Sequence, residues 1–188
     1  MQKDLFGKNV ASKKKTRLEI MLASYDKKSF TDRLERLGYL KKVFPKGFGF
    51  VSDLETAYIL DEAKMAFVDG AFISTILLSQ AFIERKFQGY YSGLGFANIA
   101  KKGLKAIIDH AKQNGTIHVF LLDKVDELRK IRNPFVHLKE YEHEYNLSQR
   151  MYKSYIKTKQ FKQPFQLLYE DAKAAISLMY VVAVTEFN

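Results

Sequence analysis

The chain contains no cysteine, only three prolines and ten glycines among 188 residues, and no apolar run of membrane-spanning length. The missing thiols exclude disulfides, iron–sulfur clusters and thiolate metal sites, and are neutral about compartment. Few prolines and glycines beside 47% hydrophobic residues exclude a disordered polypeptide. The longest uncharged apolar stretches are residues 70–83 and 174–185, 14 and 12 residues long. A spanning helix needs ~20, so both read as buried core helices. The opening MQKDLFGKNVASKKK has no apolar segment of the signal-peptide kind. These absences together lead us to expect a cytoplasmic protein with no membrane partner and no required cofactor or metal.

What the chain does have is positive charge. Thirty-one lysines and arginines against 21 acids give a formal net charge of +10. Such a field attracts polyanions, so nucleic acid is the partner to look for. The length suits one domain with an extension. We expect a basic N-terminal extension with short helices over residues 1–52 and a helical bundle over 53–188.

Thr16 and Glu19 have capping-box spacing and predict a short helix to about Ser24. Ser29 opens a second, with Phe30, Leu34 and Leu37 on one face and Gly38 as its stop. KGFGFVS at 46–52 resembles one strand of an RNA-recognition motif, and LFGKNV at 5–10 its partner strand. Asp53 stands where an aromatic is required, however, and no room precedes it for the rest of that fold. A glycine-rich connection is the better reading.

From Asp53 the periodicity is helical. A helix to Asp69 carries Leu54, Ala57, Tyr58, Met65 and Val68, and Gly70 ends it. Phe72 to Phe87 is apolar nearly all round and belongs at the bundle centre. Glu84 within it calls for an arginine partner. Residues 89–95 read as a loop, Ala97 to Gln113 as one helix, Val119 to about Arg132 as the next, and Phe165 to about Glu186 as the last. The expected fold is therefore all-α, an antiparallel bundle of four to five long helices. Between the last two helices, Arg150, Lys153 and Lys157 interleave with Tyr152, Tyr155 and Phe161, which suits either RNA stacking or a solvated face.

The run LRKIRNPFVHLKEYE, residues 128–142, concentrates polar chemistry. Pro134 should stop or kink the preceding helix at Arg132–Asn133. A new turn could then start with Asn133 as its cap and Pro134 at its first position, presenting free N–H groups to a phosphate. Arg132 adds a forked cation and His137 a base, the ingredients of metal-free phosphodiester cleavage. The alternative is a simple capping pair with Arg132 bonded to Glu84. A metal set of His137, Glu140 and His143 is disfavoured, because positions six apart on a helix face nearly opposite ways.

Arginine–asparagine–three residues–histidine, late in a helical bundle, resembles the R-x4-6-H motif of the HEPN family. The spacing of alanines, aromatics and glycines from Ala57 to Glu84 is similar to the first helix pair of such domains. The resemblance covers roughly residues 54–186. It implies a metal-independent endoribonuclease of toxin, phage-defence or RNA-processing type, a homodimer whose motifs meet across the interface. Arg132 and His137 would then be catalytic, Asn133 would fill the polar position after the arginine, and Glu84 could orient Arg132. A toxin subfamily carries a tyrosine two residues after the histidine. This chain has Lys139 there, with Tyr141 the nearest tyrosine. Other members are inactive and bind RNA or a partner protein such as an antitoxin, which is the alternative reading.

Overall fold

A computed structural model describes residues 15–45 and 53–187. The strand-like stretches at 5–10 and 46–52 lie outside them. The described residues form eight helices and no strand: α1 (Arg17–Val43), α2 (Leu54–Asp69), α3 (Phe72–Gly93), α4 (Ala97–Ala100), α5 (Leu104–Asn114), α6 (Val119–Val136), α7 (Leu147–Thr158) and α8 (Pro164–Val184). The all-helical class holds. None of these helices is long and apolar enough to cross a membrane.

Helix α3 is the hub. It buries Phe72, Ile76, Phe82, Ile83, Phe87 and Tyr91, and packs most extensively on α8 and α2, then on α4, α6 and α5. The two uncharged runs of the sequence fall in α3 and α8, as core helices should. Helix α8 contributes Ala172, Ala175, Ile176, Met179 and Val182 to the same core.

Several boundaries differ from the expected ones. Thr16 and Glu19 form the capping box, but α1 then continues unbroken to Val43. The Ser29 hydroxyl bonds back to the carbonyl of Tyr25, so it rides inside the helix instead of capping a new one. Asp53 caps α2 through the Thr56 N–H at 2.9 Å. The buried face of α2 is Thr56, Leu60, Ala63 and Phe67, whereas Leu54, Tyr58 and Met65 are exposed. Residues 89–93 belong to α3, not to a loop. The expected helix from 97 to 113 is broken at Gly103, whose φ of 87° and ψ of 177° suit only glycine.

Helix α1 is held at its C-terminal half alone. Arg36 donates from Nε to the Val68 carbonyl at 2.7 Å and so caps the end of α2. Its guanidinium lies 3.3 Å from where Gly70 would carry a Cβ, and Gly70 itself is left-handed (φ 82°). Tyr39 reaches Ser177 of α8 at 2.7 Å, and Phe44 packs edge-on against Tyr180. From Arg17 to Lys28 every residue of α1 is exposed.

Candidate functional site

The 128–142 run sits at the end of α6. Helix α6 does not stop before Pro134. It continues to Val136, and His137 is its C-cap, with its N–H on the carbonyl of Asn133 at 2.9 Å. The reason is positional. Pro134 forfeits one bond to Lys130 and strains one turn, and at a helix end that cost is borne by the last residues only. The expected new helix start at Asn133 is therefore corrected. What the backbone presents here is a helix C-terminus, rich in carbonyls and negative in its dipole. Anion binding at this end must come from side chains.

Arg132 supplies one. It is half-buried, and its guanidinium meets the side-chain oxygen of Asn133 at 3.3 Å. Among the described residues it has no acidic partner, unlike its neighbours. Arg129 pairs with Asp126 at 2.8 Å, and Asp126 also takes Lys130 at 3.0 Å. Burial raises the Asp126 carboxyl, but the bonds from Lys130 and Arg129 outweigh it and hold the group below its ordinary value. Glu84 does not reach Arg132. Its carboxylate accepts the Leu104 N–H at 3.1 Å, capping α5 across the Gly103 break. The expectation of a Glu84–arginine pair is overturned by that closer donor.

His137 is exposed, and Leu138 beside it is completely so at 102%. No hydrogen bond joins the side chains of Arg132 and His137 among the described residues. The segment that follows is a built loop. The Asn146 amide donates to the carbonyls of Glu140 and Tyr141 at 2.7 and 3.1 Å, and Gln149 donates to Tyr141 at 3.2 Å. The Tyr145 hydroxyl donates to Glu127 on α6 at 2.9 Å. Burial and then this bond push the Tyr145 phenol up to about 12. Tyr141 itself is exposed, engaged only through its backbone. The set His137, Glu140 and His143 is not gathered as metal ligands, for no three such side chains are grouped among the described residues. The His143 ring nitrogen instead accepts the Tyr145 N–H.

Of the three basic residues expected to touch RNA, Arg150 is otherwise employed. It makes a bidentate pair with Asp171 of α8, both bonds 2.6 Å, with side chains 19% and 8% exposed. A fork locked onto a buried carboxylate has its charge already compensated and its two forked donors committed, which makes it a poor phosphate contact. Lys153 is exposed and 3.4 Å from Glu144, and Lys157 is exposed on the outer face of α7. Asp171 escaped the sequence reading, although an acid on the apolar face of α8 was its signal. An apolar groove of about 560 Å3 between α6 and α8 runs alongside, lined by Phe120, Leu128, Ile131, Ala174 and Val181. Its Ile131 directly precedes Arg132. Compared with known proteins, the chain matches no family model, no curated protein sequence and no solved structure.

Proposed function

We propose that the chain is a metal-independent endoribonuclease of the HEPN kind, with Arg132 and His137 as its working pair. One observation supports this reading best: on α6 and α7, Arg129 and Arg150 are neutralised by aspartates while Arg132 is not. An uncompensated guanidinium five residues from a solvent-facing imidazole is available to an anionic ligand. His137 would take the proton from a ribose 2′-hydroxyl as that oxygen attacks phosphorus. Arg132 would stabilise the charge on the phosphorane, and the 5′-oxygen would leave with a proton from water. Asn133 steers the guanidinium through its side-chain oxygen. Two copies would bring their motifs together to complete the site. Lys153 and Lys157 add long-range attraction for RNA, and Tyr141 stands exposed on the motif loop.

The test is cleavage of total or transfer RNA in the presence of EDTA. The reading expects products with 2′,3′-cyclic ends, lost in both His137→Ala and Arg132→Ala while circular dichroism stays unchanged. Full activity in His137→Ala would refute the assignment. Absence of cleavage with retained, salt-sensitive RNA binding would instead favour a silent module that binds RNA or a partner protein.

A further inference from the structure

The turn between α7 and α8 carries two exposed phenylalanines that its own folding does not require. Phe161 is 62% exposed and Phe165 57%. The turn is built instead by polar contacts. Lys162 donates to both carboxylate oxygens of Glu170 at 2.8 and 2.9 Å, and the Gln163 N–H donates to the Gln166 side chain at 3.0 Å. Pro164 then sets the first turn of α8. Phe165 rests on buried Phe72, with ring centres 5.1 Å apart, and Phe72 meets Tyr169 at 5.3 Å. Phe165 is thereby held from behind and left open in front. Phe161, Phe165 and Tyr169 wall a cleft of about 460 Å3, within the ~300–1,000 Å3 of small-ligand sites. Lys173 lines the same cleft and sets its charge. Its ammonium lies 4.7 Å from the Tyr39 ring centre and 5.4 Å from that of Tyr169, and among the described residues no acid pairs with it. The two acids of its own helix are taken, Glu170 by Lys162 and Asp171 by Arg150. Asp32 and Glu35 of α1 line a smaller hollow together with Arg36, bordered by Phe165 and Tyr169 as well.

We infer that this cleft docks an unpaired nucleotide of single-stranded RNA, with its base on the open face of Phe165 and its phosphate on Lys173. Three features select that ligand. Fixed rings with a free face accept a planar partner, and every base has such a face. A cation held by ring faces, with no carboxylate beside it, keeps its charge for an anion. The Gln160 side-chain amide, exposed at the rim, offers a donor and an acceptor to a base edge. An apolar peptide would cover the rings and leave Lys173 unused, and an acidic peptide would meet Lys173 and leave the rings in water. A nucleotide engages both. Bases in a duplex are already stacked on both faces, so the site is confined to unpaired strands. The proposal rests on the RNA reading above for its class of ligand and not for its chemistry. None of these residues belongs to the Arg132–His137 end, so docking holds whether or not that pair cleaves.

The test is fluorescence anisotropy on the full chain with two labelled strands. One is a 2′-O-methyl oligouridylate, which cannot be cleaved by 2′-hydroxyl attack, and the other an abasic strand of the same length and charge. The base-bearing strand should bind about tenfold tighter, the effect of one base stacked on an aromatic ring. The double variant Phe161→Leu, Phe165→Leu keeps apolar packing on Phe72 and removes the rings. It should abolish that difference with circular dichroism unchanged. Lys173→Gln should weaken both strands and lower the slope of log affinity against log salt by about 0.7, the share of one phosphate. His137→Ala should keep the full difference between strands, so that failure of the docking site and failure of the catalytic reading are seen separately. Equal affinity of the wild type for both strands, or a difference that survives loss of both rings, would overturn the stacking site. An unchanged salt slope in Lys173→Gln would overturn the phosphate contact. Displacement of the oligouridylate by a polyaspartate peptide as readily as by its own unlabelled strand would assign the cleft to an acidic protein segment instead.

Discussion

Helices α1 and α3 are the two longest among the described residues and carry similar numbers of large apolar side chains, yet they meet opposite fates. In α3 nine residues are buried, and five other helices lie against it. In α1 only Arg36 and Leu40 are buried, and Leu18, Met21, Leu22 and Tyr25 stand in water. Apolar content therefore did not decide burial. Position did: α3 lies between α2 and α8, whereas α1 overhangs the bundle and is fixed only near its C-terminal end, by bonds from Arg36 and Tyr39 and by the few apolar contacts of Leu40 and Phe44. The centre is held by area and the periphery by a few polar contacts. Helix α7 follows the second rule, for it buries no residue and hangs on Arg150 and Asp171.

Substitution at the centre should test the contrast most severely. Phe82 is fully buried, and Phe82→Ala is expected to lower unfolding free energy by about 3–5 kcal/mol. Leu18→Ala, at a site 77% exposed, should cost less than about 0.5 kcal/mol. Equal losses in urea melts would break the comparison.

At the periphery the largest effect should come from Asp171→Ala. It strands Arg150 with a largely buried charge and no partner, a loss of about 3 kcal/mol. Hydrogen exchange should show α7 losing protection while α3 keeps it. Loss of protection in both helices alike would mean that α7 is part of the central unit after all.

Next in size is Gly70→Ala. A Cβ there meets the Arg36 guanidinium at 3.3 Å, and the left-handed backbone disfavours any side chain. A cost of about 1–2 kcal/mol follows. It should fall with its readout on α1, since Arg36 is the bond that seats that helix on α2. A Gly70→Ala protein with α1 amides as protected as before would show that area, not Arg36, holds α1.

The same division explains what could be read without coordinates. The capping box at Thr16, the Asp53 cap, the central helix 72–87 and the last helix from Phe165 all follow from local rules, and the structure has them. The face of α2 was misjudged because Leu54, Tyr58 and Met65 look like core by type. Which side of a helix meets its neighbours is a tertiary fact. At the site, the cluster of Arg132, Asn133, Pro134 and His137 was visible in sequence, but its backbone setting was not. Pro134 reads as a helix stop, and the preceding turns of α6 carried the helix two residues further. Arg150 looked like a phosphate contact because its partner, Asp171, lies 21 residues away.

Tyr145 offers the gentlest test and the one that reaches the site. Its hydroxyl ties the loop after His137 to Glu127 of α6 at 2.9 Å. Burial and that bond raise the phenol from 10.0 to about 12 in the folded chain. The folded state therefore favours the protonated form. Its stabilising effect is complete below the unfolded value near 10 and is lost as pH rises through the folded value near 12. Tyr145→Phe should cost about 1 kcal/mol or less at neutral pH, since the site is partly open to water. It should also flatten the alkaline limb of the stability curve between pH 10 and 12. If the loop depends on this bond, the amides of residues 138–144 should exchange faster in the variant while those of α6 do not. An alkaline limb of unchanged shape would assign the pH dependence to other phenols and lysines, and would leave the loop to its Asn146 and Gln149 bonds.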